Sequence, residues 1–148
     1  SMFLAELLSY ATCHEQANGA LYLFIQDSIE WLDHAKGAIA NFHIVFMIQL
    51  SFHLGFMPNI ESGMSGDYFD LVDGCFAAHV PSHVHYLNKE DSMRLVSLFR
   101  LDYKTMHLYT MSRMERNRCV EVILEYYKLH LPGFPEMKSF AVLQELFA

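Results

Sequence analysis

The most distinctive pattern in the sequence is an uncharged segment from Gly37 to Phe56, inside a longer stretch without charge between Lys36 and Glu61. Its apolar residues surround the whole circumference of a helix instead of forming one stripe. They are Ile39, Phe42, Val45, Phe46, Met47, Ile48, Leu50, Phe52 and Leu54. A helix that is apolar nearly all round is a buried helix. The pattern therefore predicts a central helix that begins after a break at Gly37, ends at Gly55 and Pro58, and is surrounded by the other segments.

This segment approaches the roughly 20 residues that a transmembrane helix needs. Polar side chains interrupt it repeatedly, however, at Asn41, His43, Gln49, Ser51 and His53. No belt of aromatic and cationic residues flanks it, and the neighbouring segments are amphipathic. The sequence favours burial in the core of a soluble protein over insertion in a membrane.

Amphipathic patterns on both sides of this segment predict further helices. Two precede it, over residues 1–12 and 16–32, and the first is expected to pack on the central helix. Helical periodicity resumes after Asn88, which is placed to cap a helix, and a short helix or turn is expected over residues 103–111. Ser112 and Glu115 form a capping box that opens a long helix, and Ser139 is placed to cap a last one.

The segment 59–88 lacks helical periodicity and contains the β structure that the sequence predicts. Residues 68–72 and 75–77 read as two short strands joined by a two-residue turn, Asp73-Gly74. An isolated hairpin is marginally stable, so this one must pack against the helices. The predicted fold is mainly α: a single helical domain around a buried central helix, with one small β-hairpin insertion.

Composition and charge restrict the class of protein and the kinds of partner that the chain can bind. The chain has 148 residues, 53% of them hydrophobic, which fits one folded domain and excludes disorder. Its three cysteines include no C-x-x-C pair, which indicates a reduced, cytoplasmic protein. Residues 1–93 contain 11 acidic and 2 basic side chains (net −9), whereas residues 94–148 contain 6 and 8 (net +2). Any contact with DNA must therefore be local to the second half or supplied by another part of the protein.

A loop with one cysteine and three histidines is the first candidate site. Cys75, His79, His83 and His85 have the spacing C-x3-H-x3-H-x-H, and these residue types suit zinc. Structural zinc sites usually combine two short knuckles, and no second one follows, so ordinary surface histidines are favoured and no cofactor is expected. The sequence also lacks a nucleophile elbow and a phosphate-binding glycine loop. We therefore expect no enzymatic activity, with a metal-dependent hydrolase at the histidines kept as an alternative.

A cluster of cations is the second candidate site. Arg113, Arg116 and Arg118 lie in the first turns of a predicted helix, where each cation opposes the helix dipole at a cost of about 0.3 to 1 kcal/mol. In a structural interpretation Arg116 is a buried cation and Arg118 pairs with Glu121. In a functional one the cluster binds an acidic peptide or a phosphate backbone. The candidate binding residues are Arg100, Lys104, Arg113, Arg116 and Arg118.

Seven short stretches, in this order and spacing, resemble the C-terminal helical domain of the RecO family of bacterial recombination mediators. They are LAELL (4–8), EQAN (15–18), LYLF (21–24), LGFxP (54–58), YFD (68–70), YxxHL (127–131) and KSxxVL (138–143). The resemblance implies a non-enzymatic domain in DNA repair that contacts RecR and the acidic, Phe-ending tail of single-stranded-DNA-binding protein. Together these proteins help to load RecA and anneal complementary strands.

Two differences from the family modify what the resemblance implies. RecO proteins bind DNA through an N-terminal OB-fold, which is absent from this chain, so residues 1–148 are expected to be the helical domain alone. Many members also bind zinc through two C-x-x-C knuckles, whereas this region has only Cys75. Aromatic packing around Tyr68, Phe69 and Phe76 would then hold the hairpin.

Docking of a partner protein is the leading functional hypothesis from the sequence. An acidic tail with an aromatic end requires a cation beside an apolar pocket, which directs attention to the arginines near Phe99, Tyr103 and Tyr109. Direct DNA binding by the second half is an alternative, and it predicts an affinity that falls steeply with salt.

Overall fold

The computed structural model describes residues 2–13, 18–61 and 67–146. Six helices lie in this part of the chain: α1 (Met2–Ala11), α2 (Gly19–His34), α3 (Phe42–Leu54), α4 (Lys89–Phe99), α5 (Arg113–His130) and α6 (Phe140–Leu146). The strands are β1 (Tyr68–Asp70), β2 (Cys75–Ala77) and β3 (Tyr86–Leu87). The mainly α fold with a small β insertion is the one that the sequence predicts. Among the described residues, no helix combines the length and apolar character that spanning a bilayer requires.

Helix α3 is the buried centre of the domain, and this prediction is confirmed. Its buried residues are Phe42, His43, Ile44, Val45, Phe46, Met47, Ile48, Leu50 and Ser51. Helices α2, α4 and α5 pack around it. The fully buried Tyr127 of α5 donates its hydroxyl to the Met47 carbonyl at 2.5 Å. Because the partners cover α3 from several sides, all its faces are apolar.

The predicted start of the central helix is wrong by several residues. Gly37 and Ala38 have φ angles of 137° and 57°, outside the helical region, and the Phe42 N–H donates to the Ile39 carbonyl in a turn. The helix therefore begins at Phe42. Ile39 is 43% exposed and Phe52 is 64% exposed, so neither belongs to the core that the pattern assigned to them.

Helices α4 and α5 begin where their capping residues predict, whereas the hydroxyl of Ser139, before α6, donates to Glu6. Asn88 accepts a hydrogen bond from the Asp91 N–H, and Ser112 with Glu115 forms the capping box of α5. Helix α2 begins after Asn18, so the predicted start at residue 16 lies outside the described residues. Helix α1 packs mainly on α6 and meets α3 through the edge of the Phe3 ring.

The β structure is a three-stranded antiparallel sheet in the order β2-β1-β3. The predicted hairpin is present, with Tyr68 opposite Ala77 and Asp70 opposite Cys75. The predicted two-residue turn is wrong, because four residues, 71–74, connect the strands. The Asp70 carboxylate accepts hydrogen bonds from the N–H groups of Val72 and Asp73 at 2.9 and 3.1 Å, and these bonds shape the longer turn.

The sheet packs on α4 and α5 through a second apolar cluster. Its buried members are Phe69, Leu71, Leu87, Leu95, Val122 and Tyr126. The expected aromatic packing is present, because the Phe69 ring contacts the edge of Phe76 at a centroid distance of 5.2 Å. Tyr126 also donates its hydroxyl to the Phe56 carbonyl, which ties α5 to the segment after α3.

Replacement of Asp70 by alanine is expected to lower the free energy of unfolding by about 1 to 3 kcal/mol. Asp70 is 6% exposed, and its carboxylate accepts hydrogen bonds from His83 and from two backbone N–H groups of the turn. The substitution therefore removes the acceptor of three donors. Chemical denaturation measures the change. The control is Asp73→Ala, which removes an exposed carboxylate from the same turn. Equal losses for the two variants would contradict this role of Asp70.

Candidate functional site

The predicted cations of α5 bond to different parts of the chain. The Arg113 Nε donates to the Gln144 carbonyl at 3.1 Å. The Arg118 guanidinium lies 3.2 Å from Asp91 and 3.9 Å from Glu121, which confirms the predicted pair with Glu121. Arg113 is thus bonded to α6, and Arg118 is paired with a carboxylate of α4 and with one of its own helix.

Arg116 is half-buried and not the buried cation that one interpretation of the sequence predicts, although it is bonded within the fold. Its Nε donates to Asn41 Oδ1 at 3.3 Å. Asn41 is buried, and its amide nitrogen donates to the carbonyls of Met106 and Tyr109 at 2.9 and 2.8 Å. Asn41 therefore joins the start of α3 to the 3₁₀ turn Met106–Leu108, and Arg116 ties α5 to Asn41.

Arg94 is the cation that the sequence reasoning missed. It lies 3.1 Å from Glu115, 3.5 Å from Asp91 and 3.7 Å from Glu90. Since Asp91 also pairs with Arg118, these side chains form a chain of ion pairs between α4 and α5. The spacing of Arg94 from Glu90 and Asp91 is visible in the sequence, but the contact with Glu115 depends on the tertiary fold.

Tyr103 belongs to the core and not to an open pocket. Its ring stacks on Trp31 and Phe42, each at 5.1 Å, and its hydroxyl donates to Ser28 at 2.7 Å. Burial raises the pKa of Tyr103 to about 12. Lys104, the next residue, is exposed, and its backbone N–H donates to Asp102.

An open cleft of about 860 Å³ lies between the segment after α3, the sheet and α4. We call it the Arg100 cleft. Its lining residues are Met57, Pro58, Asn59, Ile60, Glu61, Asp67, Phe76, Met93, Val96, Phe99 and Arg100. Met57 is 40% exposed and Met93 is 57% exposed, so apolar side chains face solvent within it. Of the predicted candidates, the adjacent residues Phe99 and Arg100 line this cleft.

Arg100 supplies the positive charge of this cleft. It directly follows α4, where the negative end of the helix dipole favours a cation. No carboxylate of the described residues pairs with its guanidinium. Asp67, on the rim, pairs instead with Lys89 at 4.0 Å, and Glu61 adds a second rim carboxylate. The cleft therefore combines an apolar wall with one available guanidinium, an arrangement that suits a ligand with a carboxylate and an apolar group.

The histidine loop contains His79, His83 and His85, and two of their imidazoles contact different carboxylates. His83 Nε2 lies 3.0 Å from Asp70, and its Nδ1 accepts from the His85 N–H at 3.0 Å. His85 Nδ1 lies 2.8 Å from Glu125, and His79 is exposed. In the part of the chain that the structure describes, no three His, Cys, Asp or Glu side chains converge as metal ligands would. These residues therefore provide no set of metal ligands for the alternative of a metal-dependent hydrolase.

Comparison with known proteins gives consistent matches along the chain. The family model described as "Recombination protein O C terminal" matches residues 1–139. The DNA repair protein RecO of Phocaeicola vulgatus is 46% identical over 148 residues, covering 100% of this chain and 61% of the relative. Those of Bacteroides fragilis and Porphyromonas gingivalis (strain W83) are 47% and 34% identical, each covering 99% of this chain and 61% of the relative. The chain thus spans about 61% of the length of these relatives. No solved structure gives a significant match.

Proposed function

The chain belongs to the Recombination protein O C-terminal family, and from this membership we propose that it is a non-enzymatic docking domain of a bacterial DNA repair protein. The proposed partners are RecR and the acidic tail of single-stranded-DNA-binding protein, in support of RecA loading and strand annealing. DNA would be bound mainly by an OB-fold elsewhere in the full-length protein. The observation that best supports the docking function is the Arg100 cleft.

The chemistry of the cleft matches an acidic peptide with an aromatic end. An aromatic side chain can pack against Met57, Met93 and Phe99, and methionine adapts its shape readily to such a ligand. A carboxylate of the same peptide can then form a charge-assisted, bidentate pair with Arg100. The rim carboxylates Glu61 and Asp67 repel an acidic chain, so they orient its charged part toward Arg100.

Protein docking is better supported than direct DNA binding by the second half. Of the eight cations in residues 94–148, Arg94, Arg118 and Lys128 form ion pairs with carboxylates. A carboxylate beside a cation opposes the approach of a phosphate backbone. The predicted DNA surface is therefore partly neutralised, whereas Arg100 is not.

Replacement of Arg100 by glutamate is expected to weaken the binding of an acidic, Phe-ending peptide by about tenfold or more, because the pair with the peptide carboxylate becomes a repulsion. Fluorescence anisotropy with a labelled peptide measures the affinity. The matched control is Lys138→Glu, which makes the same change of charge at an exposed residue before α6. That control is expected to change the affinity by no more than about twofold.

A third variant separates the two candidate locations. Arg113→Glu reverses an exposed cation at the start of α5 without altering the cleft. A loss of affinity for Arg113→Glu with none for Arg100→Glu would move the site to α5. No loss for either variant would refute docking through these cations.

A further inference from the structure

The outward face of α2 is a second surface on which apolar and acidic residues alternate. We call it the α2 face, and it consists of Tyr22, Ile25, Gln26, Ile29, Glu30 and Asp33. These residues lie at intervals of three and four positions, which places them on one side of a helix. They line a shallow depression of about 470 Å³ on the surface.

The core of the domain uses one apolar residue of this face, Ile25, which is partly buried. Helix α2 buries Leu21 and Ser28 on an adjacent side. Tyr22 is 52% exposed and Ile29 is 40% exposed, and both lie on the α2 face. Two large apolar side chains seven residues, or about two helical turns, apart are thus presented to solvent, a pattern that also anchors one helix on another.

The charge of α2 has a single sign. Its charged side chains other than histidine are Asp27, Glu30 and Asp33, and the helix contains no lysine or arginine. None of these three carboxylates forms an ion pair with a described residue. Lys36, the nearest cation in the sequence, lies beyond the end of the helix. The carboxylates therefore remain available to a positively charged partner.

We propose that the α2 face is a docking site for a basic amphipathic helix of a partner protein. Apolar side chains of that helix would cover Tyr22 and Ile29, and its lysines or arginines would pair with Glu30 and Asp33. This surface has no cation comparable to Arg100 among its described residues, and it does not depend on the Arg100 cleft. With both surfaces, one domain could hold an acidic partner and a basic partner at the same time.

The same charges disfavour the other possible occupants. In a symmetric pair of chains that met through this face, the carboxylates of one copy would lie against those of the other. An anionic membrane or a nucleic acid would likewise be repelled. A cationic protein segment is the remaining class of ligand that matches both the apolar and the acidic residues.

A labelled, helical Leu/Lys peptide is a suitable probe, with binding followed by fluorescence anisotropy. The double substitution Glu30→Lys/Asp33→Lys is expected to weaken binding by about tenfold or more. The control, Asp73→Lys/Glu145→Lys, changes the net charge equally at exposed positions outside the face. This control is expected to weaken the binding of the peptide by no more than about twofold. The variant Tyr22→Ala/Ile29→Ala should also weaken binding, at a salt concentration high enough to screen the charges.

Several outcomes would overturn the proposal. Equal losses of affinity for Glu30→Lys/Asp33→Lys and for its control would show that net charge alone attracts the peptide. Undetectable binding of the Leu/Lys peptide, or full affinity of Tyr22→Ala/Ile29→Ala, would remove the apolar contact on which the proposal rests. Sedimentation that shows a dimer abolished by Tyr22→Ala/Ile29→Ala would assign the face to a second copy of the chain. Circular dichroism establishes that each variant is folded, and these substitutions are all at solvent-facing or partly exposed positions.

Discussion

Replacing Phe46 by alanine is expected to lower the free energy of unfolding by about 3 to 5 kcal/mol. Phe46 lies in the middle of α3, is 0% exposed, and stacks on Phe24 at 5.3 Å and on Phe42 at 5.9 Å. Truncation removes the ring from the centre of the core and leaves a cavity that a close-packed interior fills only in part. Urea denaturation followed by circular dichroism measures the loss.

Phe52 provides the matched control within the same helix. It is 64% exposed, so Phe52→Ala removes the same atoms with little change of burial and is expected to cost less than about 1 kcal/mol. A large difference between the two variants is the signature of a helix buried at its centre and exposed near its end. Similar losses would contradict the central position of α3.

Stability is expected to fall by about 3 kcal/mol as the pH drops from 6.5 toward 4, because desolvation lowers the pKa of His43 from 6.5 to about 4. His43 is 9% exposed, packed between the rings of Phe3 and Phe42, and its Nε2 has no hydrogen-bond partner among the described residues. Within this pH range the unfolded chain binds a proton that the folded chain does not. Acidification therefore favours unfolding, and the contribution of His43 is complete above pH 6.5.

The variant His43→Leu isolates this contribution. It removes the buried imidazole, so the free energy of unfolding should vary less between pH 6.5 and 4 than in the parent protein. His107→Leu, which removes an exposed imidazole, is the control. Urea denaturation at several pH values gives the slope of the free energy of unfolding against pH for each variant. An unchanged slope for His43→Leu would show that another group causes the acid sensitivity.

The central helix and the helix caps were predictable because their signals are local. An uncharged run indicates burial wherever its neighbours lie, and the side chains of Asn88 and Ser112 bond to N–H groups three residues away. The start of α3 was misplaced because Ala38 adopts a left-handed conformation that its residue type does not suggest. A run of apolar residues continues through such a turn without a visible break.

The sheet was predicted in part, for a related reason. The short runs 68–72 and 75–77 on either side of Asp73-Gly74 indicate a hairpin, but the longer turn depends on hydrogen bonds from backbone N–H groups to the Asp70 carboxylate. Strand β3 contains two residues, Tyr86 and Leu87, too few to show alternation. It pairs with β1 only because the chain folds back after the histidine loop.

The sequence identified the residue types of the candidate site better than their positions. Arg113, Arg116 and Arg118 are close in sequence, yet their partners Gln144, Asn41 and Asp91 come from three distant segments. No local pattern reveals such partners. Arg100 was among the predicted cations, but the apolar wall beside it is built from segments before and after the sheet. The carboxylates of α2 are visible in the sequence, and only the fold shows that Tyr22 and Ile29 of the α2 face are exposed as well.

The methyl groups of the nine methionines offer the most direct test of docking at the Arg100 cleft, by NMR titration with an acidic, Phe-ending peptide. The cleft contains Met57 and Met93, whereas Met114 is 80% exposed beside Arg113 at the start of α5. Docking in the cleft predicts saturable shifts of the Met57 and Met93 methyl signals and an unchanged Met114 signal. Saturable shifts at Met114 alone, or none at any methionine, would contradict it.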